Sequence, residues 1–154
     1  MRQIPNGADR LLVVLSDVEM GAGGVLDDFP HSAWLAELLG SYNEKPYSGI
    51  PVDLVFNGDT FDLLKTSVAG VWPRHVTEAV ALAKLERILA AHPAFLEGVR
   101  AFLTGGDAQR RVHFVIGNHD AELAFPAVQR RLSQAIGAAR PRPRSSSGGR
   151  TCRR

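Results

Sequence analysis

The chain has 154 residues, 45% of them hydrophobic and 22% charged, with a formal net charge of +2; these values are ordinary for one globular domain. A single cysteine, Cys152, excludes an internal disulfide. No stretch approaches the ~20 apolar residues of a membrane helix, and 11–15 is too short an apolar run for a signal peptide, so a cytoplasmic protein is expected.

The charge is unevenly placed. Six arginines and no acid fall in residues 140–154; taking those six from the 18 basic side chains leaves 12 against 16 acidic ones, a net of −4. The body is mildly acidic, so no nucleic-acid surface is inferred. The composition divides the chain into a globular part, 1–138, and an Arg/Pro/Ser-rich tail, 139–154, whose lack of buriable residues predicts disorder.

In chain order, Pro5 and Asn6-Gly7 mark a loose lead-in before a first strand at about 11–16. The glycine-rich stretch 20–24 reads as a loop. It lacks the Gly-Lys-Ser/Thr of a nucleotide-binding loop. A helix is expected at about 31–39, with Trp34, Leu35, Leu38 and Leu39 as its apolar stripe and Gly40 as its stop. Four of the five residues from Val52 to Phe56 are apolar, which predicts a second strand covered on both faces. An irregular stretch, 63–74, reads as a loop over the strand ends. A helix follows at about 77–91, capped by Thr77, and another at about 94–103, restarted by Pro93. A third strand at about 111–116 and a helix at about 126–136 complete the pattern. The alternation implies an α/β fold of parallel strands joined by right-handed crossover helices.

All three strands end in polar groups. The first runs into Asp17 and Glu19, the second into Gly58, Asp59 and Asp62, the third into Gly117, Asn118, His119 and Asp120. If the strands are parallel neighbours, these groups meet at the carboxyl edge of one sheet, where open α/β sheets place ligands. Several carboxylates gathered there repel one another unless cations neutralise them, so a divalent-metal site is a physical expectation.

Asp17-Val18-Glu19, Gly58-Asp59-Thr60-Phe61-Asp62 and Gly117-Asn118-His119-Asp120 resemble, in order and spacing, the first three motifs of the calcineurin-like metallophosphoesterases. The similarity runs over about residues 11–125. It implies hydrolysis of a phosphate ester at a two-metal centre, and a two-sheet αββα sandwich of which this chain supplies half. Carried over, it makes Asp17, Glu19, Asp59 and Asn118 metal ligands, with Asp59 bridging both ions. His119 contacts the phosphate and its leaving group, Asp120 orients His119, and Asp62 supports the bridging carboxylate.

Two departures bear on this. The family's first motif carries histidine where this chain has Glu19, an exchange that favours harder ions such as Mn²⁺ or Mg²⁺ over softer ones; two divalent ions are expected, Mn²⁺ first, with Mg²⁺, Fe²⁺ or Zn²⁺ as alternatives. The exchange also marks a decayed site equally well. The family's later histidine and Gly-His-x-His segment are absent: no histidine follows His119. The expectation is therefore a truncated or frame-shifted enzyme, weakly active or inactive, open to self-association through an exposed sheet edge. The alternative is a non-catalytic remnant binding one metal or none and serving in assembly. His31, His75, His92 and His113 read as structural, and Trp34 and Trp72 as packing residues.

Overall fold

The computed structural model describes residues 9–137; the predicted disordered tail lies outside them. Five apolar residues form β1 (Leu11–Leu15), followed by α1 (Ser32–Ser41), β2 (Val52–Asn57), α2 (Glu78–Ala91), α3 (Pro93–Thr104), β3 (Arg110–Val115), a 3₁₀ turn at Ala121–Ala124, and α4 (Pro126–Ala135). The strands make one parallel sheet in the order β1-β2-β3. Their register sets Leu12, Asp53 and Arg111 side by side, then Val14, Val55 and His113. The chain is thus α/β, and the arrangement is compatible with half of a sandwich. Among the described residues no helix is long and apolar enough to cross a membrane.

The helix starts hold in detail, whereas Gly40, expected to stop α1, lies inside it because the helix runs on to Ser41; a glycine weakens a helix interior without having to end it. The Thr77 side chain accepts a hydrogen bond from Val80 N at 3.3 Å, capping α2, and Pro93 and Pro126 open α3 and α4. Proline suits that position, because the amide it lacks has no partner in a first helical turn.

The expectation that β2 is covered on both faces is corrected. Val52, Leu54 and Phe56 are fully buried, whereas Asp53 and Val55 between them are only half-buried. On β1, Leu12 and Val14 remain 61% and 53% exposed. One face of the sheet therefore carries the core and the other is open. An apolar run states that burial is favourable, but not that a neighbour exists to provide it.

On the covered face, Phe56 stacks on Phe114 at 5.1 Å between ring centroids and meets Phe95 edge-on at 5.6 Å. Phe61, just beyond β2, meets the same two rings at 6.0 Å. This aromatic group anchors the ends of β2 and β3 to α3, directly beneath the polar loops. Helix α1 packs against α3 so closely that a Cβ on Gly98 would lie 2.6 Å from Ala36 Cα. Trp34, expected in the apolar stripe of α1, is 58% exposed, and Trp72 is exposed too, so neither packs in the core. The buried stripe of α1 is Leu35 and Leu39, one helical turn apart.

Two buried polar devices fix the remaining elements. Arg110 reaches the carbonyls of Tyr42 at 2.8 Å and Ile50 at 2.8 Å and the Asn43 side chain at 2.9 Å, holding the α1–β2 connection on the start of β3. Lys84 on α2 pairs with Glu122 of the 3₁₀ turn at 3.1 Å, with both side chains buried.

Candidate metal centre at the strand ends

Beyond their last paired residues, the three strands are laced together by main-chain hydrogen bonds. Glu19 N donates to Asp59 O at 2.8 Å, Met20 N to Thr60 O at 3.0 Å, and Asp62 N to Met20 O at 2.8 Å. Gly58 N donates to Val115 O at 3.1 Å, and Leu63 N to His119 O at 3.1 Å. Such bonding requires the chain to turn sharply at each strand end. Asp17, Glu19 and Asp59 accordingly take left-handed backbone angles, with φ of 54°, 52° and 49°. Side chains rarely adopt that region, and it costs on the order of 1–3 kcal/mol where they do. Three such residues at two neighbouring strand ends, after β1 and β2, form a concentration of strain at the expected site.

The Asp59 carboxylate accepts from His119 N at 2.7 Å, so the second and third motifs are joined directly. Gly117 makes that approach possible: a Cβ there would lie 2.2 Å from Asp59 Oδ1 and 2.5 Å from Asp59 N. Asp120 is fully buried and accepts from Gly117 N at 2.6 Å, Thr60 N at 2.8 Å and Phe61 N at 3.4 Å. It ties the turn after β2 to the turn after β3. The orienting contact on the His119 ring, expected of Asp120, is made by Asp62, whose Oδ1 lies 3.3 Å from His119 Nδ1.

Among the described residues, one group of histidine and carboxylate side chains brings three ligand atoms within 4.8 Å of one another: Glu19, Asp62 and His119. Glu19 Oε2 stands 3.9 Å from His119 Nδ1. Asp62 is fully buried, and its Oδ2 accepts no hydrogen bond. Of the residues expected to ligate, Glu19 belongs to this group. Asp17, Asp59 and Asn118 lie at the same sheet edge but outside the triad; Asp17 is exposed and accepts from the neighbouring Ser16 hydroxyl. Asp62, expected only to support the bridging carboxylate, is one of the three side chains that gather.

Electrostatics follow from this placement. Partial burial would lower the pKa of His119. The hydrogen bond to Asp62 and the nearby charges of Glu19, Asp62 and Asp59 outweigh that, and its pKa is raised above the usual histidine value. Its Nε2 makes no hydrogen bond with the described residues.

Sequence reasoning missed Lys65. Its ammonium lies 3.1 Å from Asp62 Oδ2 and 3.5 Å from Glu19 Oε2 and also bonds Asp28, and these carboxylates hold its pKa far above the ordinary lysine value. Its spacing from Asp62, three residues on, was the available signal, because a turn at that point brings the two side chains together. His92 and Asp27 were not linked in sequence either. They pair at 2.8 Å, both buried, and pin the glycine-rich loop: Asp27 also accepts from Gly21 N, Gly23 N and Phe29 N. No family model, curated protein or solved structure matches the chain.

Proposed function

We propose that the strand-end cluster is a divalent-metal centre for the hydrolysis of phosphate esters. The observation that carries this reading is the convergence of Glu19, Asp62 and His119, with the Asp62 carboxylate buried and one of its oxygens left without a hydrogen bond. A buried carboxylate oxygen in that condition is costly unless a cation faces it; in the metal-free chain the Lys65 ammonium does so at 3.1 Å, and a divalent ion would do so with more charge. Two oxygen donors and one imidazole suit Mn²⁺ or Mg²⁺, with Fe²⁺ or Zn²⁺ also within reach of such a set.

Glu19, Asp62 and His119 would hold one ion. Asp59, Asp17 and Asn118 stand at the adjacent strand ends, where a second would bind under the two-ion expectation. The bound metal supplies positive charge to a phosphate and acidifies a water molecule. The chain's own residues do the rest. Asp62 orients the His119 ring through Nδ1 and in the metal-free chain favours its protonated form; a ligating imidazole is neutral, so an ion held by His119 would displace that proton and the ring would serve as a ligand rather than as the proton donor. Asp59, through the His119 amide, fixes the backbone from which that ring projects.

The expected outcome is Mn²⁺-dependent release of the alcohol from a generic aryl phosphate ester, abolished in His119→Ala and Asp62→Ala and strongly reduced in Asp59→Ala. Equal rates in the wild type and all three variants would overturn the proposal.

A second reading has one observation in its favour. The Lys65 ammonium already stands among Glu19, Asp28 and Asp62 and offsets one of their three negative charges. A chain offset in this way, without catalysis, binding one metal or none and serving in assembly, is the non-catalytic alternative. It predicts no Mn²⁺-dependent rate at all.

A further inference from the structure

Lys65 and the triad claim the same oxygens. Of the three carboxylates around the ammonium, two are Glu19 and Asp62, and these with His119 are the only described histidine and carboxylate side chains whose ligand atoms gather closely enough to hold an ion. Asp62 divides its carboxylate between the two uses: Oδ1 faces His119 Nδ1 at 3.3 Å, while Oδ2 faces Lys65 Nζ at 3.1 Å.

The second contact is incomplete. Asp62 Oδ2 is buried and faces the ammonium at 3.1 Å, outside the geometry of a well-aligned hydrogen bond. A metal ion has no such directional demand. The third partner, Asp28, lies on the solvent side: it is exposed, and so is Lys65, in contrast to the fully buried Asp62. The lysine therefore has an inner anchor that fits poorly and an outer anchor to which its flexible stem can retreat.

We propose that Lys65 is an internal stand-in for the metal ion. It occupies Glu19 and Asp62 in the metal-free chain, and a divalent cation must displace it toward Asp28 to bind. This rests on the metal reading given above and adds to it a competitor within the chain. An ammonium cannot remain within 3.1 Å and 3.5 Å of two oxygens that also ligate a divalent ion, because like charges at such separations repel strongly. The exchange lowers metal affinity while keeping the metal-free site from carrying bare, adjacent carboxylates. It also couples metal binding to two loops, since Lys65 holds the segment after β2 to Asp28 in the segment before α1.

The test is calorimetric titration of the full chain with Mn²⁺ alone, comparing wild type with Lys65→Met and Lys65→Arg. Lys65→Met keeps the length of the stem and removes the charge. The expected result is Mn²⁺ binding about tenfold tighter or more, with a lower melting temperature without metal and a larger rise in melting temperature when Mn²⁺ is added. Lys65→Arg keeps the ion pair and presents a fork that fits two carboxylates better than an ammonium does, so Mn²⁺ binding weakens; it decides the matter if Lys65→Met does not fold. Equal or weaker binding by Lys65→Met, or undiminished binding by Lys65→Arg where only that variant folds, overturns the role of Lys65 and leaves the metal reading standing. If neither wild type nor variants bind Mn²⁺, both fall together.

Discussion

Replacing Gly117 with alanine adds one methyl group at the point where β3 and β2 end, and tests whether the close approach to Asp59 holds the site together. The added carbon would lie 2.2 Å from Asp59 Oδ1, 2.5 Å from Asp59 N and 2.8 Å from Asp59 Cγ. Ordinary non-bonded carbon contacts lie at about 3.5–4.0 Å, so the two segments must part by about 1 Å. Rotating the Asp59 side chain does not relieve the clash, because the main-chain nitrogen is among the atoms struck. That main chain is itself tethered, with Glu19 N bonded to Asp59 O at 2.8 Å and Asp59 at φ 49°. Overpacking of this kind costs about 1–3 kcal/mol, and loss of the His119 N–Asp59 hydrogen bond to a charged acceptor adds about 1.5–3 kcal/mol. Together these lower the melting temperature by on the order of 10 °C for a domain of this size. Thermal unfolding followed by circular dichroism, with and without Mn²⁺, reads the effect, and the stabilisation by Mn²⁺ should disappear in the variant. Gly40→Ala is the control: it lies within α1 with nothing within 4 Å of the added carbon, and should stabilise by up to about 1 kcal/mol. If Gly117→Ala melts with the wild type and still responds to Mn²⁺, the strand-end packing does not hold the site in the way argued.

The buried Lys84–Glu122 pair, 3.1 Å apart, predicts an asymmetric mutant cycle. Lys84→Met strands a buried carboxylate and should cost about 3–5 kcal/mol, whereas Lys84→Met with Glu122→Leu should recover most of it; equal melting temperatures for the single and double variants would refute this. Asp27 predicts a pH effect. Burial would raise its pKa, but the amides of Gly21, Phe29 and Gly23 and the charge of His92 outweigh burial and hold it below the ordinary 3.8. A depressed carboxylate contributes stability that is fully present above its unfolded pKa and is lost as pH falls through the folded value. The gap in melting temperature between wild type and Asp27→Asn should therefore be full at neutral pH and close as pH is taken below about 3.8. A gap that stays constant into that range would remove the Asp27 contacts as its cause.

The strand ends were legible in sequence because their requirements are local. An apolar run followed by Gly-Asp or Gly-Asn-His-Asp specifies a strand that must turn at once, and β2 and β3 do so at Gly58 and Gly117. Helix starts were legible for the same reason, since Thr77, Pro93 and Pro126 act on the turn they begin. What was not legible depends on how segments distant in sequence meet. Val55 and Val14 carry the same apolar signal as Leu54 and Val13, yet only one side of the sheet has helices against it. The division of labour among the aspartates is hidden in the same way. Asp62 and Asp120 each follow a glycine by a few residues and look equivalent, but Asp120 spends both oxygens on three main-chain amides, whereas Asp62 gives Oδ1 to the Lys65 amide and the His119 ring and leaves Oδ2 without a hydrogen bond. An aspartate whose oxygens are satisfied by amides has little left to offer an ion. The one left unsatisfied, with a histidine on one side and a lysine on the other, is where the proposed ion and its proposed competitor would meet.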